Sequence, residues 1–252
     1  MVSLGQAIIL SIIQGVTEWF PISSSGHLAL MHEFFGFQNL GFDVYLHFAS
    51  VLAVVILFGK DIARLTFLTK ANINYIIKLV IALVPAAIIG FFYKEQVRQA
   101  FGNFFFMGLF FMIFGVLIYS TKNAREMKSK PNKIDSFIIG VSQMFALFPG
   151  ISRSGMTMGS GLILGLKKEE AIKFSFLLAV PIILGATLVE AKEISVQNIP
   201  FTTLLTSFTV TLLISLWTIK LLIRIIKSDK FYLFGIYNFI LGFLVFVWSF
   251  YR

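Results

Sequence analysis

Residues 21–27 read PISSSGH, and residues 149–157 read PGISRSGMT. Each stretch is a hydroxyl-rich turn containing a glycine, and each interrupts a segment otherwise apolar enough to lie in a membrane. Irregular backbone at membrane depth is tolerated only where it packs against protein or lines a polar cavity. Two such interruptions built from one motif predict a single polar site assembled from two halves. Pro21 and Pro149 cannot continue a helical hydrogen-bond ladder, and Gly26 and Gly155 permit backbone angles that other residues avoid. The flanking segments, about 6–37 and 134–166, are therefore expected to be helix–turn–helix hairpins that dip into the bilayer and return.

The rest of the chain fits a membrane setting. Of 252 residues, 58% are hydrophobic, 30 are Phe and only 13% are charged, far more apolar surface than a soluble core of this length needs. Apolar runs near 43–59, 74–93, 102–120, 173–190, 203–223 and 231–251 approach the roughly 20 residues that cross a bilayer at about 1.5 Å per residue. The expected fold class is all-α: an integral membrane protein with six transmembrane helices plus two re-entrant hairpins, in one membrane domain over 1–252. The first basic residue is Lys60, so no basic signal-peptide region opens the chain and none is expected to be cleaved. Cysteine is absent, which excludes disulfides, thiolate metal sites and cysteine nucleophiles.

The formal charge of +9 follows membrane orientation, and no nucleic-acid partner is expected, since that would call for aromatics interleaved with cations on a soluble face. Taken through the six spans, 16 of the 21 basic residues fall on one side, including Lys122, Arg125, Lys128, Lys130 and Lys133. Lys94, Arg98, Lys192 and Arg252 fall on the other. The positive-inside rule makes the first side cytoplasmic and turns both termini outward.

The duplication extends beyond the serine turns. HFASVLAVVILFG (47–59) aligns without a gap on KFSFLLAVPIILG (173–185), matching Phe48 with Phe174, Leu52 with Leu178 and Gly59 with Gly185. Repeats of approximately 6–120 and 134–251 each hold a broken segment followed by three spans. Three is odd, so the second repeat enters from the opposite side. That is the inverted-topology arrangement, whose sites lie near the midplane where broken helices meet.

Gln14 and Glu18 stand one helical turn apart in IIQGVTEWFP. A carboxylate inside a membrane is costly enough to be a functional candidate by default. Ser23, Ser24 and Ser25 precede Gly26 and His27, while Ser152, Arg153 and Ser154 precede Gly155 and Thr157. Serines before a helix cap it, and the free N–H groups of a capped N-terminus also form an anion site suited to phosphate. Arg153 adds a bidentate clamp for phosphate, with a structural pairing to Glu18 as the alternative use of its charge. His27 lies within the motif; His32 and His47 have weaker claims, because both sit near element ends. A hydroxyl, an imidazole, a carboxylate and a guanidinium converging from two repeats meet the requirements of phosphoryl transfer.

QGVTEWFPISSSGH resembles the first signature of the undecaprenyl-diphosphate phosphatase family of the bacitracin-resistance type, and PGISRSGMT resembles its second. The resemblance runs along essentially the whole chain. It implies an enzyme that removes one phosphate from undecaprenyl diphosphate in the bacterial cytoplasmic membrane, recycling the carrier for peptidoglycan synthesis and conferring bacitracin resistance. By motif position it implies a divalent cation, Mg²⁺ or Ca²⁺, held by Glu18 and Gln14. The catalytic residues would be Glu18, Ser24, His27 and Arg153, with Ser23, Ser25, Ser152, Ser154 and Thr157 binding the diphosphate. Many relatives carry Glu where this chain has Gln14, which weakens the charge offered to a cation. Ser24 is the preferred nucleophile with His27 as base, and a phosphorylated His27 is the alternative. The implied partners are undecaprenyl diphosphate, membrane lipids and, indirectly through the shared lipid, bacitracin; a homodimer is left open. Phe104–Phe106, Phe110, Phe111 and Phe114 are candidates for a prenyl-tail groove, with packing against lipid as their alternative use. A transporter or flippase for a polyprenyl phosphate lipid is the rival reading, because inverted repeats with broken helices also build transporters.

Overall fold

The computed structural model describes residues 2–190 and 199–251; Lys192 and Arg252, assigned to the outer side above, lie outside them. The first hairpin is α1 (Leu4–Thr17) and α2 (Ser24–Phe35). It is followed by α3 (Leu40–Leu57), short α4 (Gly59–Leu65), α5 (Lys70–Phe92), short α6 (Lys94–Ala100) and α7 (Phe104–Ser120). The second hairpin is α8 (Lys133–Phe145) and α9 (Arg153–Ile163), followed by α10 (Lys168–Glu190), α11 (Phe201–Lys227) and α12 (Leu233–Trp248). Polar caps start the helices that begin at the bilayer edge. Ser3, Asn39, Thr69, Asn103 and Asn132 each accept a first-turn backbone N–H, satisfying a donor that hydrocarbon would leave bare.

The chain is an all-α membrane protein. Five helices, α3, α5, α7, α10 and α11, are long and apolar enough to cross a bilayer. The expected sixth span is the shorter α12, whose 16 residues cover about 24 Å and which turns flank at both ends. Helices α1 and α8, of 14 and 13 residues, cover only about 20 Å against a hydrocarbon core of about 30 Å, and each is followed after its turn by a second short helix.

The main helix pairs are α7 with α12, α5 with α8, α1 with α11, and α3 with α10 and α11. Exchanging α1 for α8, α3 for α10, α5 for α11 and α7 for α12 carries α5–α8 onto α11–α1 and leaves the α7–α12 and α3–α10 pairs unchanged. The largest buried cluster lies between the turns and α10, around Trp19, whose ring meets Phe176 edge-on at 5.4 Å. At one end of the bundle Lys173 pairs with Asp61 at 2.6 Å, Lys168 with Asp229 at 2.6 Å, and Lys128 with Asp135 at 2.8 Å. These pairs tie together the segments that the charge count assigns to the cytoplasm.

Helices α7 and α12 meet through glycines seven residues apart on each, Gly108 and Gly115 against Gly235 and Gly242. A Cβ on Gly235 would lie 2.5 Å from the backbone nitrogen of Tyr119, and one on Gly108 2.6 Å from that of Phe246. In lipid, where no hydrophobic effect drives helices together, such backbone contact supplies the association energy. Gly235→Ala is expected to destabilise the protein by about 1–3 kcal/mol, since backbone cannot yield as a side chain can. Gly5→Ala, which meets nothing within 4 Å, is the control and should not destabilise. Thermal unfolding of the two variants in detergent checks this; equal midpoints would contradict it.

Candidate active site

The two turns interlock at the middle of the bundle. Ser23, at a positive φ of 65°, accepts from the backbone N–H of Gly26 in its own helix (3.3 Å) and from that of Gly150 in the opposite turn (3.1 Å). In return Ser152 and Ser154 both donate to the carbonyl of Phe20, each at 3.4 Å. Asn238 of α12 donates to the Pro21 carbonyl at 2.7 Å. Ser23 is not a glycine, so its left-handed backbone carries strain that the surrounding contacts hold in place. The expected N-caps are present: Ser23 caps α2, and Ser152 caps α9 through the Gly155 N–H at 3.3 Å.

Glu18 ends α1 directly before the first turn and is buried. Its Oε1 is ion-paired with the guanidinium of Arg153, which opens α9 from the other hairpin. Its Oε2 accepts from Ser24 Oγ at 2.6 Å and from Gln14 Nε2 at 3.1 Å, and lies 3.4 Å from His47 Nε2. The structure thus brings together Gln14, Glu18, Ser24 and Arg153. Ser24 and Arg153 remain partly exposed beside the buried carboxylate, so a solute reaching the site meets the hydroxyl and the guanidinium.

Other residues singled out from the sequence are placed differently. His27 is bonded through Nδ1 to the Ser23 carbonyl at 2.8 Å and through Nε2 to the Tyr237 hydroxyl at 2.7 Å. A carbonyl only accepts, so Nδ1 carries the proton and, in the neutral ring, Tyr237 donates to Nε2. In this arrangement the base in contact with Ser24 is Glu18. Thr157 faces away from the turns and shares a 2.6 Å hydrogen bond with Ser175 of α10. Ser25 lies 3.3 Å from Ser23 Oγ, within the first turn. Phe111 and Phe114 form a wall behind the turns, packed on Gly26 and Gly155, while Phe106 is exposed, so these phenylalanines do not share one surface.

Two residues beside the site carry no motif signal. His47 is eight residues into α3 rather than at its end, and its Nδ1 is held on the Asp43 carbonyl at 2.8 Å. Tyr237 stacks on His27 with rings 9° from parallel. His32 pairs with Asp43 at 2.7 Å, one turn of α3 before His47.

Residues 7–244 match the family described as bacitracin resistance protein BacA. The chain belongs to that family. Among its similar relatives are undecaprenyl-diphosphatases of Methanococcus vannielii, 37% identical over 94% of this chain and 97% of the relative, and of Christiangramia forsetii, 36% identical over 97% of each. A third, from Caldicellulosiruptor bescii, is 38% identical over 94% of each. The match to the BacA family spans both hairpins, so both halves of the interlocked site lie within the shared region.

Proposed function

We propose that the chain is an undecaprenyl-diphosphate phosphatase of the cytoplasmic membrane, with its site at the meeting of the two hairpin turns. The observation that carries this is the convergence of Ser24, Glu18 and Arg153 from two hairpins at the N-termini of α2 and α9. A structural ion pair would need only the carboxylate and the guanidinium. The hydroxyl 2.6 Å from the same carboxylate, open to solute and flanked by two capped helix starts, adds what phosphoryl transfer requires. The names of the relatives support undecaprenyl diphosphate as the lipid.

In this mechanism the terminal phosphate lies against Ser24, its oxygens held by Arg153 and by the N-termini of α2 and α9. Ser24 Oγ attacks phosphorus as its proton passes to Glu18 Oε2, and the anhydride P–O bond breaks to release undecaprenyl phosphate. Water then attacks the serine phosphate, releasing inorganic phosphate and returning the proton to Ser24. His27 orients the start of α2 through the Ser23 carbonyl, and His47 lies against the oxygen that receives the proton. A divalent cation fits beside Glu18: the buried Gln14 Oε1 has no hydrogen-bond partner, and Mg²⁺ and Ca²⁺ take such hard oxygens. Bound there by Gln14 and Glu18, Mg²⁺ or Ca²⁺ would supply neutralisation of phosphate charge.

We also read the architecture as an inverted repeat with the basic end cytoplasmic; the exchange of helix pairs described above supports the first, and the charge count the second. The decisive test uses purified protein in detergent with undecaprenyl diphosphate and Mg²⁺. The expected products are undecaprenyl phosphate and one inorganic phosphate per lipid. Tight binding without phosphate release would instead favour a flippase.

A further inference from the structure

An apolar groove of about 720 Å³ runs along the membrane face of the bundle between α1 and α12, within the size range of small-molecule sites. Ile13, Val16 and Phe20 line one side, Phe234 and Tyr237 the other, and His27 stands at one end. The side chains of Thr17, His27 and Tyr237 are occupied by one another or by backbone. The Thr17 hydroxyl donates to the Ile13 carbonyl at 2.7 Å, and His27 and Tyr237 are bonded to each other. Lys230 lies at the α11–α12 turn. What the groove offers along its length is a surface for hydrocarbon.

We propose that this groove seats the first isoprene units of the substrate's tail, with the His27–Tyr237 pair marking where headgroup gives way to chain. The inference rests on the phosphatase reading. Its argument is continuity: His27, which lines the groove, is three residues from Ser24 on the same helix, so the groove begins within one helical turn of the residue that would attack phosphorus. A lipid whose terminal phosphate lies at Ser24 and Arg153 must leave the site over a surface that starts there. Tyr237 thereby becomes a positioning residue, bonded to the head-end histidine and walling the tail.

A prenyl diphosphate carrying a diazirine on its second isoprene unit tests this directly. On irradiation with purified protein it is expected to label peptides containing Val16, Phe234 or Tyr237, and excess undecaprenyl diphosphate should displace it where a bilayer phospholipid does not. In parallel, Val16→Trp, which fills the groove, is expected to raise KM for undecaprenyl diphosphate about tenfold with little change in kcat, the signature of lost uniform binding. Leu244→Trp, on the lipid-facing side of α12 outside the groove, is the control and should change neither. Label confined to other helices, or equal displacement by phospholipid, overturns the groove assignment even if the enzyme is active. Labelling as expected in a protein that releases no phosphate overturns the phosphatase reading instead.

Discussion

Arg153→Ala is expected to lower phosphate release about a thousandfold or more, the scale seen when a cationic clamp on a transferring phosphoryl group is removed. Two effects contribute. The guanidinium that would hold the phosphate oxygens is gone, and Glu18 is left as an unpaired carboxylate within the bilayer. Breaking a buried pair from one side costs about 3–5 kcal/mol, so part of the loss will appear as lowered thermal stability. Arg153→Lys separates the two. It keeps a positive charge near Glu18 and should largely preserve the unfolding midpoint. It loses the planar fork that grips phosphate at two points, and turnover should fall about a hundredfold. Measured together, midpoint and kcat distinguish a structural pair from a catalytic clamp: if Arg153→Lys keeps both, Arg153 serves only to neutralise Glu18.

Ser24→Ala removes the proposed nucleophile with little disturbance to the fold. The hydroxyl is half-buried, and its hydrogen bond to Glu18 contributes about 1.5–3 kcal/mol, typical of a bond to a charged group. Loss of a nucleophile, by contrast, costs about 10⁴-fold to 10⁶-fold in kcat. The expected result is a stable protein that binds undecaprenyl diphosphate and releases essentially no phosphate. Rapid quench of the unaltered enzyme followed by peptide mapping should find phosphate on Ser24. Phosphate on His27, with Ser24→Ala retaining near-normal turnover, would reassign the nucleophile and leave Ser24 as a donor to Glu18.

The sequence revealed those features whose cost is visible in one dimension. Pro21 and Pro149 come with hydroxyls and a glycine behind them, and that combination marks the two breaks without a partner, whereas Pro85 and Pro181, which lack it, stand inside α5 and α10. Glu18 and Arg153 are each expensive in hydrocarbon, and their meeting follows from that shared cost. His47 carries no such signal, because its place in an apolar run says nothing about which helix α3 approaches; only the packing of α3 brings it to Glu18. Tyr237 carries no signal, being one aromatic among many on α12. Of the phenylalanines at 104–114, Phe111 and Phe114 are buried against the turns and Phe106 is exposed, a difference that composition does not show, and the groove beside His27 is lined largely from α1 and α12, far apart in sequence. Thr157 matched a motif position, yet a helical turn carries it onto Ser175.

The interlocked turns also have a consequence for biogenesis. Arg153 follows Glu18 by 135 residues, and at ribosomal rates of about 5–20 residues per second the guanidinium is made roughly 7–27 s after the acid. Throughout that interval the first hairpin has neither its cation nor the backbone N–H of Gly150, so it cannot settle to its final depth in the bilayer. A nascent chain arrested before the second hairpin should therefore expose α1 and α2 to water-soluble proteases or labelling reagents, and release of the arrest should protect them.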